Sequence, residues 1–309
     1  MTNNNLKGFS VQHTLMDDIS VSYEGKPLFS YKYVPEEVQL ESPRPFLHPV
    51  NTLSGEEISL YRPHDHVWHK GISWSLPCVG KHNFWGGPTY VQGEGYVQLA
   101  NNGRAIHQRF NNLDVNTNGV SIDHVLHWIS EDESHLITER RRITAQVIES
   151  VQSAWALTFS SSMTNVSEEE LSLGSPTTKG RDNAGYGGLF WRGPRSFTDG
   201  TIIAPDFAGG EEFRGNRSAW AGYTGQFDGS ANFGSIIMVS AKDNPGGCPQ
   251  WFARNEWFAG LCPAPFFSEE IPFTPEDTLT FKYAVIILDG EVSPSEAAEL
   301  SEVGASLLG

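Results

Sequence analysis

The stretch Asp18-Ile19-Ser20-Val21-Ser22-Tyr23-Glu24-Gly25-Lys26-Pro27-Leu28-Phe29-Ser30-Tyr31-Lys32-Tyr33, DISVSYEGKPLFSYKY, sets the fold class of this chain. Ile19, Val21 and Tyr23 alternate with polar residues, Glu24-Gly25-Lys26 turns the chain, and Phe29, Tyr31 and Tyr33 resume the alternation. A period of two sends successive side chains to opposite faces of a strand, so the stretch predicts a hairpin with one apolar face. The same period returns at Ile122-His124-Leu126-Trp128, Trp155-Leu157-Phe159 and Phe281-Tyr283-Val285-Ile287. Between such runs stand Asn102-Gly103, Asn118-Gly119, Asp199-Gly200, Asp228-Gly229 and Asp289-Gly290, dipeptides that tolerate positive φ and close tight turns. Strands joined by turns predict an antiparallel, all-β chain.

One segment reads as a helix. Ser293-Pro294-Ser295-Glu296 has the capping-box spacing with proline at the first helical position, and Leu300, Val303 and Leu307 follow as an apolar stripe. No low-complexity linker and no fixed-period repeat interrupts the sequence, so residues 1–309 read as a single domain. A large antiparallel chain of this length most economically packs two big sheets face to face, with a concave face available for a ligand. The expected architecture is an all-β, antiparallel two-sheet β-sandwich with a short C-terminal helix.

Composition narrows the partners. A formal charge of -16 disfavours nucleic acid and acidic membrane surfaces, since phosphate-rich partners are bound through Lys and Arg. The start MTNNNLKGFS has no apolar leader, and no apolar run approaches the roughly 18 residues that span a bilayer, so the expectation is a soluble, cytoplasmic protein. Cys78, Cys248 and Cys262 are odd in number and lack zinc-knuckle spacing, which predicts buried thiols rather than disulfides or a cysteine metal site.

The chemistry-bearing residues concentrate in Arg62-Pro63-His64-Asp65-His66-Val67-Trp68-His69-Lys70-Gly71. Three histidines and an aspartate within six residues admit three readings: a metal site with His64, His66 and His69 as candidate ligands, a histidine base held in one tautomer by Asp65, or a structural loop. Spacing leaves all three open. Downstream, Lys81-His82-Asn83-Phe84-Trp85-Gly86-Gly87 presents aromatic rings beside a close-approaching backbone, with Asn83 and His82 able to bind hydroxyls. Gly185-Tyr186-Gly187-Gly188-Leu189-Phe190-Trp191-Arg192 ends on an arginine that needs a partner or a ligand, and Arg254 stands between Trp251 and Trp257, where it can stack or clamp. In Glu139-Arg140-Arg141-Arg142 a surface ladder of charges is expected, without a catalytic role.

Arg44-Pro45-Phe46-Leu47-His48-Pro49-Val50, then Pro63, Asp65-His66, His69 and Gly71, then Asn83-Phe84-Trp85-Gly86-Gly87 with Thr89-Tyr90-Val91, resembles the bacterial PmoA-like family, a domain of unknown function also called DUF6807. Gly188-Leu189 with Arg192, Asp243-Asn244-Pro245, Trp251 and Pro265-Phe266 extend the resemblance over roughly residues 40 to 290. The family label borrows from a membrane methane oxygenase, an activity set aside here because the sequence has neither a spanning segment nor a copper cluster. The resemblance implies a mutarotase-like supersandwich and a place in carbohydrate metabolism. The expectation is therefore a carbohydrate-active enzyme, an epimerase, isomerase or lyase, moving protons on a sugar or an oxidised keto sugar. His66 or His69 would act as base or acid, Asp65 or His48 would orient or share that proton, Arg44 and Arg192 would hold substrate oxygens, and Trp85 and Trp68 would stack on the ring. A divalent metal on the histidines and a homo-oligomer are both compatible with this expectation. The alternative is a non-catalytic carbohydrate-binding module or a partner protein of a sugar oxidoreductase.

Overall fold

In the computed structural model, which describes residues 8–151 and 153–309, the stretch Asp18–Tyr33 forms the hairpin that its alternation predicts. Strands Asp18–Tyr23 and Lys26–Lys32 pair antiparallel, with Ile19 opposite Tyr31 and Val21 opposite Phe29, and these four side chains are buried. The hairpin belongs to a ten-stranded sheet. Its path runs Phe9–Thr14, Asp18–Tyr23, Lys26–Lys32, Phe46–Val50, Ile72–Val79, Gly188–Arg192, Gly260–Ala264 and Gln250–Arg254, with Leu173–Gly174 and His82–Phe84 also pairing to Ile72–Val79.

Facing it is a nine-stranded sheet in the order Phe207–Gly209, Thr201–Ala204, Trp220–Gln226, Phe233–Ser240, Thr278–Asp289, Ala154–Asn165, His135–Val147, Gly119–Ile129, Arg104–Asn116. All paired strands in both sheets are antiparallel. The two-sheet sandwich expected from the sequence is the observed architecture. Its core is aromatic: Phe29 stacks on Trp155 at 5.8 Å, Trp74 meets Phe281 at 5.2 Å, and Trp191 meets Tyr223 at 5.3 Å. Each such ring, fully removed from water, contributes about 1.5–3 kcal/mol before the entropy of ordering is counted.

Strand parity then decides what each outer face carries. In Gly188–Arg192, Leu189 and Trp191 join the core between the sheets, so Phe190 and Arg192 face outward; in Gln250–Arg254, Trp251 and Ala253 go in, and Phe252 and Arg254 go out. The outer face of the ten-stranded sheet thereby gains a second aromatic cluster of Trp85, Phe190, Phe252, Phe258 and Phe267, with Trp68 and Tyr186 partly buried against it. The outer face of the nine-stranded sheet is covered instead, over Thr201–Ala204, Phe233–Ser240 and Thr278–Asp289, by the helix Pro294–Ser306. Its capping box is formed as the sequence predicts, Ser293 Oγ accepting from Glu296 N and Glu296 Oε2 accepting from Ser293 N at 2.9 Å. Gly304 allows the approach to the sheet, since a Cβ there would lie 2.9 Å from Val239.

The run Glu139–Arg142 departs from the expected surface ladder. Arg140 and Arg142 are exposed, with Arg140 paired to Asp123, but Arg141 lies between the sheets. There it donates to both oxygens of buried Glu139, at 2.8 and 2.9 Å, and to Tyr31 Oη at 3.3 Å. Trp128 Nε1 donates to Glu139 at 2.7 Å; Tyr31 Oη meets His124 Nε2 at 2.8 Å, and His124 Nδ1 meets His107 Nδ1 at 3.0 Å. Period two put Arg141 inward together with its carboxylate partner Glu139, and the facing sheet adds Tyr31 Oη. Cys78 and Cys262 are buried free thiols, whereas Cys248 is exposed, contrary to the expectation for all three.

Candidate active site

The stretch Arg62–Gly71 leaves strand geometry. Tyr61 and Lys70 form an isolated bridge, and between them the chain makes two consecutive turns, His66 N donating to Pro63 O at 3.1 Å and His69 N to His66 O at 2.9 Å. Gly71 closes the loop at φ 49°, where a Cβ would stand 2.2 Å from Leu47 O, so only glycine fits. An ionic knot centred on buried Glu41 and Lys70 anchors the loop: exposed Arg62 binds both oxygens of Glu41, Lys70 reaches Glu41 and Glu37, and Tyr61 Oη donates to Glu37 at 2.6 Å. Burial weighs against the charge of Lys70, and the two carboxylates oppose that effect.

This loop lies against the outer face of the ten-stranded sheet, where parity has placed Arg192. Arg192 is only 1% exposed and packs over the ring of Phe258 at 4.1 Å. Its Nη2 donates to both oxygens of Asp65 at 3.1 and 3.2 Å, and its Nη1 donates to His69 Nδ1 at 3.0 Å. Asp65 Oδ2 in turn lies 3.0 Å from His66 Nδ1. The imidazoles of His66 and His69 stack with centroids 4.6 Å apart and planes 9° from parallel. Phe190, Phe258 and Trp85 surround His69, which is 2% exposed, while the side chain of His66 is 38% exposed.

The proton positions follow from these bonds. A guanidinium only donates, so His69 Nδ1 must be bare and the proton of a neutral His69 sits on Nε2. An ionised carboxylate only accepts, so His66 carries its proton on Nδ1 and leaves Nε2 with a free lone pair. Burial opposes ionisation of Asp65, but the His66 hydrogen bond and the Arg192 charge prevail and hold it at about 2. Burial lowers His66 below its ordinary value despite Asp65, and lowers His69 well below it, where any protonation of adjacent His66 and the charge of Arg192 add to the effect. Both rings are neutral at pH 7. One arginine thus fixes two stacked neutral imidazoles in opposite tautomers, one presenting an acceptor and the other a donor.

The other expected residues lie around this centre or away from it. His48 makes a separate contact set, Nδ1 at 2.8 Å from Ser59 Oγ and the ring stacked on Tyr61 at 5.5 Å, and burial lowers it to about 4. Arg44 is buried and donates to Ser75 Oγ and to the carbonyls of Glu41, Ser42 and Trp68, which engages all three of its guanidinium nitrogens in holding the loop. Asn83 Oδ1 accepts from Trp85 N and Gly86 N at 2.9 and 3.0 Å and so shapes the Gly86-Gly87 turn, where a Cβ on Gly87 would stand 2.8 Å from the Trp68 ring. Trp85 is nearly covered at 5% exposure; Trp68 remains partly open and edge-on to His66 at 5.4 Å. Arg254 pairs with Glu211 and lies over Phe258 at 5.3 Å.

His64 is exposed, and among the described residues no group of three or more His, Cys, Asp or Glu side chains is arranged to hold a metal ion. Spacing alone had allowed His64, His66 and His69 to converge; the two turns direct them otherwise. Phe190 and Phe258 are members of the site beyond those expected from the sequence. The alternation Leu189-Phe190-Trp191-Arg192 carried the signal for Phe190, since it puts that ring on the face of Arg192. Two surface depressions, of about 350 Å³ beside the start of the helix and about 240 Å³ around His82, Asn101 and Asp132, contain none of the residues of the Arg192 centre. Cavity volume and convergent chemistry disagree here, and the chemistry identifies the candidate.

Solved structures of similar course include a heparan sulfate lyase from Pedobacter heparinus, with 10% identity and a TM-score of 0.42, covering 94% of this chain and 36% of the lyase. A galactose 1-epimerase from Lactobacillus acidophilus has 8% identity and a TM-score of 0.42, covering 92% of this chain and 99% of the epimerase. An α-galactosidase from Geobacillus stearothermophilus has 11% identity and a TM-score of 0.38, covering 92% of this chain and 40% of that enzyme. This chain spans about a third of the lyase's length and nearly all of the epimerase's. No curated protein matches. No helix among the described residues is long and apolar enough to cross a membrane. The model of the family described as "Family of unknown function (DUF6807)" matches residues 18–302, and the chain belongs to that family.

Proposed function

We propose that the protein is a carbohydrate-active enzyme that moves a proton at the carbon next to a carbonyl of a keto sugar, the step shared by epimerases, isomerases and β-eliminating lyases. The observation that supports this most is Arg192, bonded to Asp65 and to His69 Nδ1, with Asp65 bonded to His66. His66 Nε2, unprotonated and accessible, is the base. Asp65 stabilises the imidazolium that forms when His66 takes the proton. His69 Nε2–H, a neutral donor in dry surroundings, stabilises the enolate oxygen that develops as the C–H bond breaks; a neutral imidazole can polarise a carbonyl in this way. Arg192 adds positive charge behind both rings. Trp68 and the partly open edge of the aromatic cluster supply apolar surface for the C–H face of a sugar.

The test is solvent exchange. Keto sugars and the corresponding unoxidised sugars are incubated with the protein in D2O, and deuterium at the carbon next to the carbonyl is followed by NMR. Wild type is expected to exchange a keto sugar, and His66→Ala to lose about 10²–10⁴-fold in rate while still binding it. Sugar binding by both proteins with no exchange by either would instead make the protein a binding module.

A further inference from the structure

The hairpin formed by Thr89–Val91 and Gly95–Val97 stands apart from both large sheets and docks on the segment 176–187. Tyr90 Oη reaches Gly180 O at 3.5 Å, and Gly180 lies so close to Gln92 that a Cβ would be 2.9 Å from its side chain. The centre of the contact is polar: Arg181 Nη1 donates to Tyr96 Oη and covers the Tyr96 ring at 4.7 Å, and Tyr96 Oη lies 2.9 Å from Tyr186 Oη. Tyr186 packs on Trp85 at 4.6 Å, and Trp85 packs on His69 at 5.6 Å. Crowding fixes where Tyr186 stands, since a Cβ on Gly185 would strike the ring of Phe267 at 2.1 Å and one on Gly187 would lie 2.7 Å from Pro77.

Counting protons gives this chain a direction. Arg181 has donors only, so Tyr96 Oη accepts from it, and the cation makes the Tyr96 hydroxyl a stronger donor. Either hydroxyl can donate across the 2.9 Å contact, and the cation on Tyr96 Oη favours Tyr96 as the donor to Tyr186 Oη. With Tyr96 as the donor, the proton of Tyr186 finds no other acceptor among the described residues. Burial pushes the Tyr186 phenol well above its ordinary value, so the proton stays on it. A partly buried hydroxyl whose own proton lacks a partner, in the aromatic wall beside the imidazoles, is a donor held ready for a ligand oxygen.

We infer that Tyr186 is a specificity-determining residue that donates a hydrogen bond to a hydroxyl or ring oxygen of the substrate remote from the reacting carbon, with Tyr96 and Arg181 positioning and polarising it. This rests on the proposed carbohydrate chemistry and adds a requirement on the substrate: an acceptor oxygen across the ring from the carbonyl. The test uses the deuterium-exchange reaction with Tyr186→Phe and Tyr96→Phe, against a keto sugar and its singly deoxygenated analogues. Tyr186→Phe is expected to raise KM about three- to tenfold with kcat within about twofold, and to lose that penalty for the one analogue lacking the contacted oxygen. Tyr96→Phe is expected to raise KM by a smaller factor. An unchanged KM in Tyr186→Phe, with wild type active, would overturn the role of Tyr186 and leave the proton-transfer reading standing. Tighter binding in Tyr96→Phe would mean that Tyr186 donates to Tyr96, which also overturns it. Absence of both exchange and sugar binding in wild type would remove the carbohydrate reading and this inference with it.

Discussion

Two regions of the molecule use the same parts to opposite ends. Between the sheets, Arg141, Glu139, His124 and His107 form an arginine, a carboxylate and two near-parallel imidazoles 5.2 Å apart; on the outer face of the ten-stranded sheet, Arg192, Asp65, His66 and His69 repeat the set with the rings 4.6 Å apart. In the inner set His124 is 0% exposed and both of its nitrogens are bonded, to Tyr31 and to His107. In the outer set each imidazole spends one nitrogen on the protein and keeps Nε2 unbonded by it. Residue type does not separate structure from chemistry; the nitrogens left over do. Half-buried His107 bonds only through Nδ1, so the inner set leaves over a single nitrogen, whereas the outer set leaves a matched acceptor and donor beside an aromatic wall, an arrangement open to a ligand.

The sharpest way to break the comparison is Asp65→Asn. The amide would donate to His66 Nδ1, drive the proton to Nε2 and remove the base while its oxygen still accepts from Arg192, so the exchange rate should fall about 10²–10⁴-fold in protein that remains folded, with a lower melting temperature because buried Arg192 loses its charge partner. Equal loss of stability and activity would show the outer set to be structural as well. The inner set should respond the other way. Glu139→Ala leaves Arg141 buried without its carboxylate and should cost about 3–5 kcal/mol in denaturant unfolding, with kcat of the remaining folded protein close to wild type.

Acid separates the two sets more gently. An unfolded histidine titrates near 6.5, and His48, His66, His69 and His124 all lie below that in the folded protein, mainly through burial. Their contribution to stability is therefore intact above pH 6.5 and is lost as pH falls, for His48 over the window from 6.5 to about 4. His66, with its side chain 38% exposed, takes a proton while the fold holds, whereas buried His124 must wait for the core to open. Activity should thus fall with a midpoint below 6.5 before the near-ultraviolet circular dichroism of the aromatic core changes. Coincident loss of both signals would contradict the distinction.

What the sequence made legible was whatever depends on local period. Ile19-Val21-Tyr23 and Phe29-Tyr31 gave the hairpin, and Ser293 with Glu296 gave the helix start, because strand alternation and capping are written within a few residues. The pairing of Asp65 with Arg192 spans 127 residues and depends on Gly188–Arg192 lying beside Ile72–Val79, which alternation does not specify. Parity could place Arg192 and Phe190 on one face but not say which loop would cover them. His48 shows the converse. It is near in sequence to the loop, yet its ring stacks on Tyr61 and bonds Ser59 rather than either ring of the stacked pair.

The measurement that bears most directly on the account is the tautomeric state of the two stacked histidines at pH 7, read from long-range proton–nitrogen correlation spectra of uniformly nitrogen-15 labelled protein, with the signals assigned by His66→Gln and His69→Gln. Two neutral rings of opposite kind are expected: His66 protonated on Nδ1 with a bare Nε2, and His69 protonated on Nε2 with a bare Nδ1. Two rings in the same tautomer, or a doubly protonated His66 at that pH, would contradict it.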